Sequence, residues 1–174
     1  IKIETATRAD EVRRGPPHKD GVPGLNRNAT FNFFNRNKLS YTSNLKAPEG
    51  LELVKELVAT SDGVVNNFTP RVLPALGLDY DTLRAVRPDL IMVTLTGFGS
   101  SGPYKDYVSY AEHSSNFAGL TSISGMPERP MGDMSALSDH TVGLMGAFAL
   151  LSALHHRAKT GEGQSIQLSQ VESM

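Results

Sequence analysis

The sequence contains no cysteine among its 174 residues. This absence excludes disulfide bonds, thiol nucleophiles and cysteine-ligated zinc sites. Any catalytic group in the chain must therefore carry oxygen or nitrogen. A chain without cysteine is also compatible with a reducing compartment, and we predict a cytoplasmic protein.

The chain also lacks an excess of charge of either sign. Lys and Arg number 17 and Asp and Glu number 18, so the formal net charge is −1 with His neutral. This balance gives no broad basic surface, and neither nucleic acid nor a membrane is an expected partner. A local cluster of Lys and Arg can still hold a small anion.

Long apolar runs and two common catalytic motifs are absent. The longest apolar stretch, 142–154, is shorter than the roughly 20 residues that span a bilayer, and it predicts a buried helix of a soluble protein. No Gly-x-Ser-x-Gly elbow of a serine hydrolase occurs. The glycine loop at 97–102 lacks the lysine of a phosphate-binding loop, so no nucleotide-hydrolysing site is expected.

The hydrophobic pattern predicts strands that alternate with helices. Alternating or continuous apolar residues predict strands at 1–4, 63–66, 90–95 and 165–168. Helices are predicted at 48–60, 79–86, 107–117 and 141–159. Segments with Gly and Pro predict loops at 5–30 and 125–134. Strand, helix and strand in succession predict a parallel α/β sheet. The loop 96–103 follows a strand, and such sheets bind ligands at the carboxyl ends of their strands. The chain has the length of one domain or of a piece of a larger one, and we expect that both of its ends are cut.

Asp139 lies just before the strongly apolar segment 141–159 and has two interpretations. A carboxylate at a helix start is typical of an N-cap. A carboxylate at the mouth of an apolar helix is also a candidate nucleophile, and Gly143 and Gly146 would allow close approach. Both interpretations stay open at this point, and they are mutually compatible.

Further candidates lie in loops. Asn67 and Phe68 follow the strand at 63–66, where an aromatic face and an amide suit a ring ligand. An ordinary turn with a core Phe is the other interpretation of these residues. Four cations, Arg36, Lys38, Lys46 and Arg71, are either anion ligands or ordinary surface charges. His113 has no second ligand at metal-binding spacing, so no metal site is expected.

Taken in order, a set of short motifs resembles class III CoA-transferases, the family of formyl-CoA and carnitine CoA-transferases and alpha-methylacyl-CoA racemases. The resemblance extends along essentially the whole chain. The motifs are 1–4 (IKIE), 35–38 (NRNK), 45–50 (LKAPEG), 66–70 (NNFTP), 95–99 (LTGFG), 102–104 (GPY), 138–139 (SD) and 156–164 (HRAKTGEGQ).

The resemblance implies a Rossmann-like large domain of parallel strands flanked by helices that binds CoA, in a dimer of interlocked chains. The chain would be part of that domain and would lack its first strand, its glycine-rich active-site loop and the small domain. The implied roles are a catalytic acid at Asp139 and CoA contacts at Asn67, Phe68 and Lys46. We also expect CoA contacts at Arg36, Lys38 and Arg71 and an acyl pocket near Tyr104 and Tyr110. Three family CoA contacts do not carry over, because Ser43, Ala75 and Val108 are different side chains here.

The expected function is therefore transfer of CoA from an acyl-CoA to a small carboxylic acid through an aspartyl anhydride and an aspartyl-CoA thioester, with no metal. One alternative is racemisation of a 2-methylacyl-CoA. The family's racemases carry a histidine where this chain has Tyr110, so that alternative would need His113 in a shifted register. The other alternative is a CoA-binding dimer module without catalysis. The sequence leaves the donor and acceptor acids open.

Overall fold

A computed structural model describes residues 1–129 and 135–174. The strands are β1 (Lys2–Glu4), β2 (Ser40–Thr42), β3 (Gly63–Asn66), β4 (Ile91–Thr96) and β5 (Gln164–Ser169). The helices are α1 (Ala29–Phe34), α2 (Pro48–Ala59), α3 (Val72–Ala75), α4 (Tyr80–Val86), α5 (Ala111–Phe117) and α6 (Ser135–Thr160). Short 3-10 turns lie at Glu11–Arg13, Lys19–Gly21 and Leu120–Ile123. The end of the predicted loop 125–134 falls outside the described residues.

The chain divides into two compact units, Ile1–Glu56 and Leu57–Met174. In the first unit, β1 and β2 pair in parallel, with Ile3 opposite Tyr41. The predicted loop at 5–30 is wrong in part, because it contains two 3-10 turns and runs into α1, and neither α1 nor β2 was expected. Helix α1 begins where the buried side chain of Asn28 accepts a hydrogen bond from the Phe31 N–H at 2.6 Å.

A nearly buried ion pair organises the first unit. Arg13 donates to both carboxylate oxygens of Glu4, through Nε at 2.9 Å and a terminal nitrogen at 2.6 Å. Its guanidinium also lies 3.5 Å from the centre of the Phe31 ring. The Arg13 hydrogen bonds, together with one from the Asp10 N–H, lower the pKa of Glu4 to about 2. The pair therefore ties the end of β1 to the segment that follows it.

The second unit contains a three-stranded parallel sheet in the order β3-β4-β5. Val65 lies opposite Val93, and Val93 lies opposite Ile166. Because β4 is the central strand, Ile91 and Val93 are 0% and 1% exposed. The prediction of a parallel α/β sheet is confirmed, and the predicted strands at 63–66, 90–95 and 165–168 lie within one residue of the observed ends.

Helix α6 packs along β4 and β5. Ala153 is 1% exposed and contacts the Ile91 and Val93 cluster of the sheet. A Cβ on Gly146 would lie 3.0 Å from a methyl of Leu95, so this glycine does permit a close approach, whereas a Cβ on Gly143 would meet open space. At the far end of α6, Arg157 donates to the carbonyl and to the carboxylate of Asp62, both at 2.8 Å.

The expectation of a buried helix at 142–154 holds for only one face of α6 among the described residues. One face is covered by the sheet, but large apolar side chains on the rest are exposed, among them Leu144 (74%), Phe148 (71%) and Leu151 (66%). Among the described residues, one segment, Leu137–Thr160, has the length and mean hydropathy, 1.3, of a membrane span, with 22% of the window buried. A helix packed on a sheet passes the same test of length and composition, so the observation is weak evidence for a membrane.

Candidate functional site

The site candidates of the second unit follow the carboxyl ends of its strands. Since β3, β4 and β5 are parallel, their carboxyl ends share one edge of the sheet. Asn67 and Phe68 come after β3, the glycine loop 97–102 comes after β4, and Gln170 comes after β5. This edge of the sheet therefore gathers Asn67, the glycine loop and Gln170.

Asp139 is the fifth residue of α6, which begins at Ser135 rather than at Thr141. The N-cap interpretation is therefore wrong, because the carboxylate lies within the second turn, beyond the free amides of the helix start. Its neighbour Ser138 is fully buried and donates to the Ala111 carbonyl at 3.1 Å, which ties the start of α6 to α5. The Asp139 side chain itself is exposed and can be reached by a substrate.

A glutamine holds the Asp139 carboxylate. The Gln170 side-chain N–H donates to Oδ1 of Asp139. Gln170 is only 8% exposed, and its Oε1 accepts a hydrogen bond from the hydroxyl of the buried Ser114 at 2.8 Å. Sequence reasoning missed both partners. Gln170 lies 31 positions from Asp139, and Ser114 lies 56 positions from Gln170. The available signal was a polar side chain directly after the last strand, at the ligand-binding edge.

The glycine loop after β4 packs tightly against its neighbours. A Cβ on Gly97 would overlap the Ser109 hydroxyl, so only glycine fits there. The Ser169 hydroxyl donates to the Gly97 carbonyl at 3.2 Å and joins the loop to the end of β5. Gly99 and Gly102 have φ angles of 77° and 82°, which disfavour other residues. The loop backbone is therefore fixed close to the chain that carries Gln170.

Asn67 and Phe68 are both exposed, Phe68 at 44%, so the expected core Phe of an ordinary turn is not what the structure shows. The turn is fixed by Asn66, which accepts from the Phe68 N–H at 3.3 Å and donates to the Thr94 hydroxyl of β4 at 2.9 Å. An exposed ring on a fixed backbone suits stacking against a flat ligand. The side chain of Arg71, further along the same loop, is 72% exposed, and its Nε lies 3.5 Å from Oδ1 of Asp106.

Tyr104 belongs to an aromatic cluster beside the glycine loop. Its ring centre lies 5.9 Å from that of Phe98, 5.3 Å from that of Tyr107 and 5.1 Å from that of Phe117. Tyr104 is 42% exposed, so part of its surface packs in the cluster and part is open. Its predicted role at an acyl group stays a prediction.

Tyr110 is the residue before α5 and is 64% exposed. Its backbone N–H donates to Nδ1 of His113 at 3.1 Å, an arrangement that closes the first turn of α5. Nδ1 of His113 therefore serves as an acceptor for the backbone, which is a structural role. The predicted contact between Tyr110 and substrate stays a prediction.

The remaining candidate cations lie in the first unit. Arg36 donates to the Phe33 carbonyl at 3.2 Å and its guanidinium lies 4.7 Å from the centre of the Phe33 ring. Lys38 donates to the Asn35 side chain at 3.1 Å. The side chain of Lys46 is exposed, and its backbone N–H donates to Asn44. Their predicted roles toward CoA stay predictions.

No group of three His, Asp or Glu side chains within residues 1–129 and 135–174 is arranged to hold a metal ion. Asp139 and Gln170 bring an exposed carboxylate together with a buried donor. Chemically, an exposed carboxylate held through one oxygen suits a carboxylate nucleophile.

Comparison with known proteins identifies the family. The model of CoA-transferase family III matches residues 1–174. The chain belongs to this family. The resemblance drawn from the short motifs is thus confirmed over the whole chain.

Two curated relatives illustrate the match to family III. The succinate–glutarate CoA-transferase of Agrobacterium fabrum is 39% identical over 172 residues, which cover 97% of this chain and 43% of that protein. The beta subunit of succinyl-CoA–L-malate CoA-transferase from Chloroflexus aurantiacus is 38% identical over 177 residues, and the match covers 100% of this chain and 42% of that subunit. The chain thus spans less than half the length of these relatives.

A solved structure shows the same fold for this family III chain. The crystal structure of a CAIB/BAIF family protein from Brucella suis superimposes with a TM-score of 0.89 at 36% identity. The match covers 98% of this chain and 45% of that protein. The predicted fold class, an α/β domain of parallel strands flanked by helices, is therefore confirmed.

Proposed function

We propose that the complete protein moves CoA from an acyl-CoA donor to a carboxylic acid, with Asp139 as the covalent nucleophile. The observation that carries this proposal is the exposed Asp139 carboxylate, held through Oδ1 by the buried Gln170 at the ligand-binding edge of the sheet. Membership of CoA-transferase family III supports the reaction type.

The chemistry follows from the need to preserve the free energy of the thioester. Attack of Asp139 Oδ2 on the acyl-CoA carbonyl forms a mixed anhydride and releases CoA thiolate. The thiolate then attacks the aspartyl carbonyl, releases the donor acid and leaves an enzyme thioester. An incoming carboxylate repeats both steps in reverse. A serine ester would have a lower transfer potential, so a carboxylate suits this reaction.

The loop after β3, in the same unit as this acid, carries candidate ligands for CoA. We propose that the exposed Phe68 ring and the Asn67 amide hold the adenosine end, with Arg71 close to a phosphate. The fixed turn after β3 supports this assignment, because the Phe68 ring is presented without a need to order the backbone first.

The substrates are proposed from the relatives' names. Both curated relatives described above carry succinate or succinyl-CoA in their names, together with a second dicarboxylic acid, glutarate or malate. We therefore propose succinyl-CoA as the donor and a short dicarboxylate as the acceptor. A comparison of glutarate and malate with monocarboxylates of equal length tests this proposal. Equal turnover with the monocarboxylates would contradict it.

The complete protein is further proposed to work as an interlocked homodimer, as the family resemblance implies. The name of the malate relative, which designates a beta subunit, supports an assembly of more than one chain. Light scattering of the complete protein measures the mass directly. A monomer at micromolar concentration that is fully active would contradict this proposal.

Substitution of Asp139 by Asn tests the central assignment. Asn keeps the shape and keeps an oxygen for the Gln170 hydrogen bond, but it cannot form the anhydride. We expect transfer from succinyl-CoA to fall at least about a thousandfold while the melting temperature stays the same. Hydroxylamine added during turnover should leave a hydroxamate on Asp139 of the unsubstituted protein.

Two outcomes would contradict the assignment. Unchanged turnover in Asp139→Asn would show that the carboxylate is not the nucleophile. Exchange of the α-hydrogen of a 2-methylacyl-CoA in deuterated water, without any acceptor acid, would indicate proton transfer in place of CoA transfer.

A further inference from the structure

Gln170 is fixed in position by the backbone on which it lies. Its N–H donates to the Thr96 carbonyl at 2.7 Å, and the next N–H, of Val171, donates to the Gly97 carbonyl at 3.0 Å. These bonds continue the pairing of β5 with β4 past the end of the strands. The side chain therefore starts from a rigid point beside the glycine loop.

The orientation of the Gln170 amide is also fixed. A carboxamide has an accepting oxygen end and a donating nitrogen end. Because the Ser114 hydroxyl donates to Oε1 at 2.8 Å, the nitrogen end points away from Ser114 and toward Asp139. Ser114 is 0% exposed, and its Oγ lies 3.3 Å from the Ser109 hydroxyl, which holds Ser114 in turn. The hydrogen-bonded chain Ser114–Gln170–Asp139 thus aims a buried N–H at Oδ1.

We propose that Gln170 is a catalytic residue that stabilises the negative charge on Asp139 Oδ1 when CoA attacks the aspartyl carbonyl. The inference rests on the proposed function. In the resting enzyme Gln170 Nε2 donates to a carboxylate oxygen, and in the anhydride that same oxygen becomes a carbonyl oxygen. The donor is therefore in place before the charge develops, which is the condition for oxyanion stabilisation.

The electrons in this step balance without any further reactant. The CoA thiolate forms a bond to the aspartyl carbonyl carbon, and the π electron pair of that carbonyl moves to Oδ1, beside the Gln170 N–H. When the pair returns, the bond between that carbon and the bridging anhydride oxygen breaks. The donor acid leaves as a carboxylate, and the enzyme thioester remains.

The first step of the reaction differs in where the charge develops. When Asp139 Oδ2 attacks the acyl-CoA, the negative charge appears on the oxygen of the substrate carbonyl, away from Oδ1. Gln170 therefore acts on the two steps that occur at the aspartyl carbonyl, formation and breakdown of the enzyme thioester. Loss of its N–H should slow those steps and spare anhydride formation.

Substitution of Gln170 by Leu in the complete protein tests the inference in a single turnover with labelled succinyl-CoA and excess enzyme, quenched in acid. In the unsubstituted protein, CoA becomes bound to Asp139. In Gln170→Leu we expect about 100-fold to 1000-fold slower appearance of protein-bound CoA, with free CoA and an acylated Asp139 accumulating at close to the original rate. The partition between free and bound CoA is a readout that a general loss of structure does not change.

Matched variants complete the test. Gln167→Leu makes the same replacement at an exposed site of β5 and should leave both rates and the melting temperature unchanged. Ser114→Ala leaves the Gln170 amide in place but removes the bond that orients it, so a smaller loss in the same step is expected.

Two results would overturn the role of Gln170. One is bound CoA forming at the original rate in Gln170→Leu, and the other is an equal slowing of both steps. Failure of the proposed function is distinguishable, because then the unsubstituted protein itself would show no adduct at Asp139.

Discussion

Replacement of Glu4 by Gln removes the charge that pairs with Arg13 in the first unit. Both side chains are 11% exposed, and Glu4 accepts hydrogen bonds from Arg13 at 2.9 and 2.6 Å and from the Asp10 N–H at 3.1 Å. These bonds lower the pKa of Glu4 from 4.5 to about 2. The variant leaves the Arg13 cation without its partner, which is the costly way to break such a pair.

The expected loss of stability follows from the pKa. A fall from 4.5 to about 2 corresponds to about 3.5 kcal/mol, at about 1.4 kcal/mol for each tenfold change in proton affinity. Solvent near the pair screens part of this energy, so we expect a loss of about 2 to 3 kcal/mol. Because the folded state binds the proton more weakly, the stabilisation is complete above about pH 4.5 and disappears as the pH falls toward 2.

Hydrogen exchange at β1 and β2 measures this loss in the complete protein. The Lys2 N–H donates to the Leu39 carbonyl, and the Ser43 N–H donates to the Glu4 carbonyl. At neutral pH both amides should exchange about 30-fold to 150-fold faster in Glu4→Gln, and the ratio should shrink as the pH falls from 5 to about 3. Glu11→Gln is the control, because Glu11 is 68% exposed where it pairs with Arg8. A ratio near one at neutral pH, or one that does not change with pH, would refute the reasoning.

Two further substitutions test local structure. Asp79 accepts from the Thr82 N–H at 3.0 Å and from its hydroxyl at 2.8 Å at the start of α4, so Asp79→Ala should cost about 1 kcal/mol, measured by exchange of the α4 amides. These bonds lower the pKa of Asp79, so the cost should shrink below about pH 4, and a cost that does not change with pH would contradict the cap. A Cβ on Gly163 would overlap the Leu90 carbonyl, so Gly163→Ala should destabilise the protein by about 3 kcal/mol or more in thermal melting. Gly143→Ala, which meets open space, should not destabilise it, and equal melting of the two variants would show that the overlap is relieved.

The sheet of the second unit was predictable from sequence because β3 and β4 are β-branched runs between turn residues and β5 alternates apolar with polar residues. The segment 91–93, for example, is apolar throughout and is buried in the structure. The segment 29–42 was not predictable by the same reasoning. Helix α1 depends on one buried capping residue, Asn28. Strand β2 depends on pairing with β1, a strand about 40 residues earlier in the chain.

The candidate site was predictable only in part. Asp139 became a candidate from its position before the apolar segment and from the family motif. Its place inside α6 was not predicted, because the residues before it carry little helical periodicity. Gln170 and Ser114 were missed because their role depends on contacts between distant parts of the chain. Periodicity reports which face of an element is apolar, and it carries no information on which polar side chains meet across the fold.

Helix α6 connects the acid to a distant anchor. Arg157, which is bonded to Asp62, follows Asp139 by 18 residues, or about 27 Å along the axis at about 1.5 Å per residue. A straight helix held at both ends transmits a tilt at one end to the other with little loss. A substitution at Arg157 or Asp62 should therefore shift the Asp139 carboxylate at the other end of the helix.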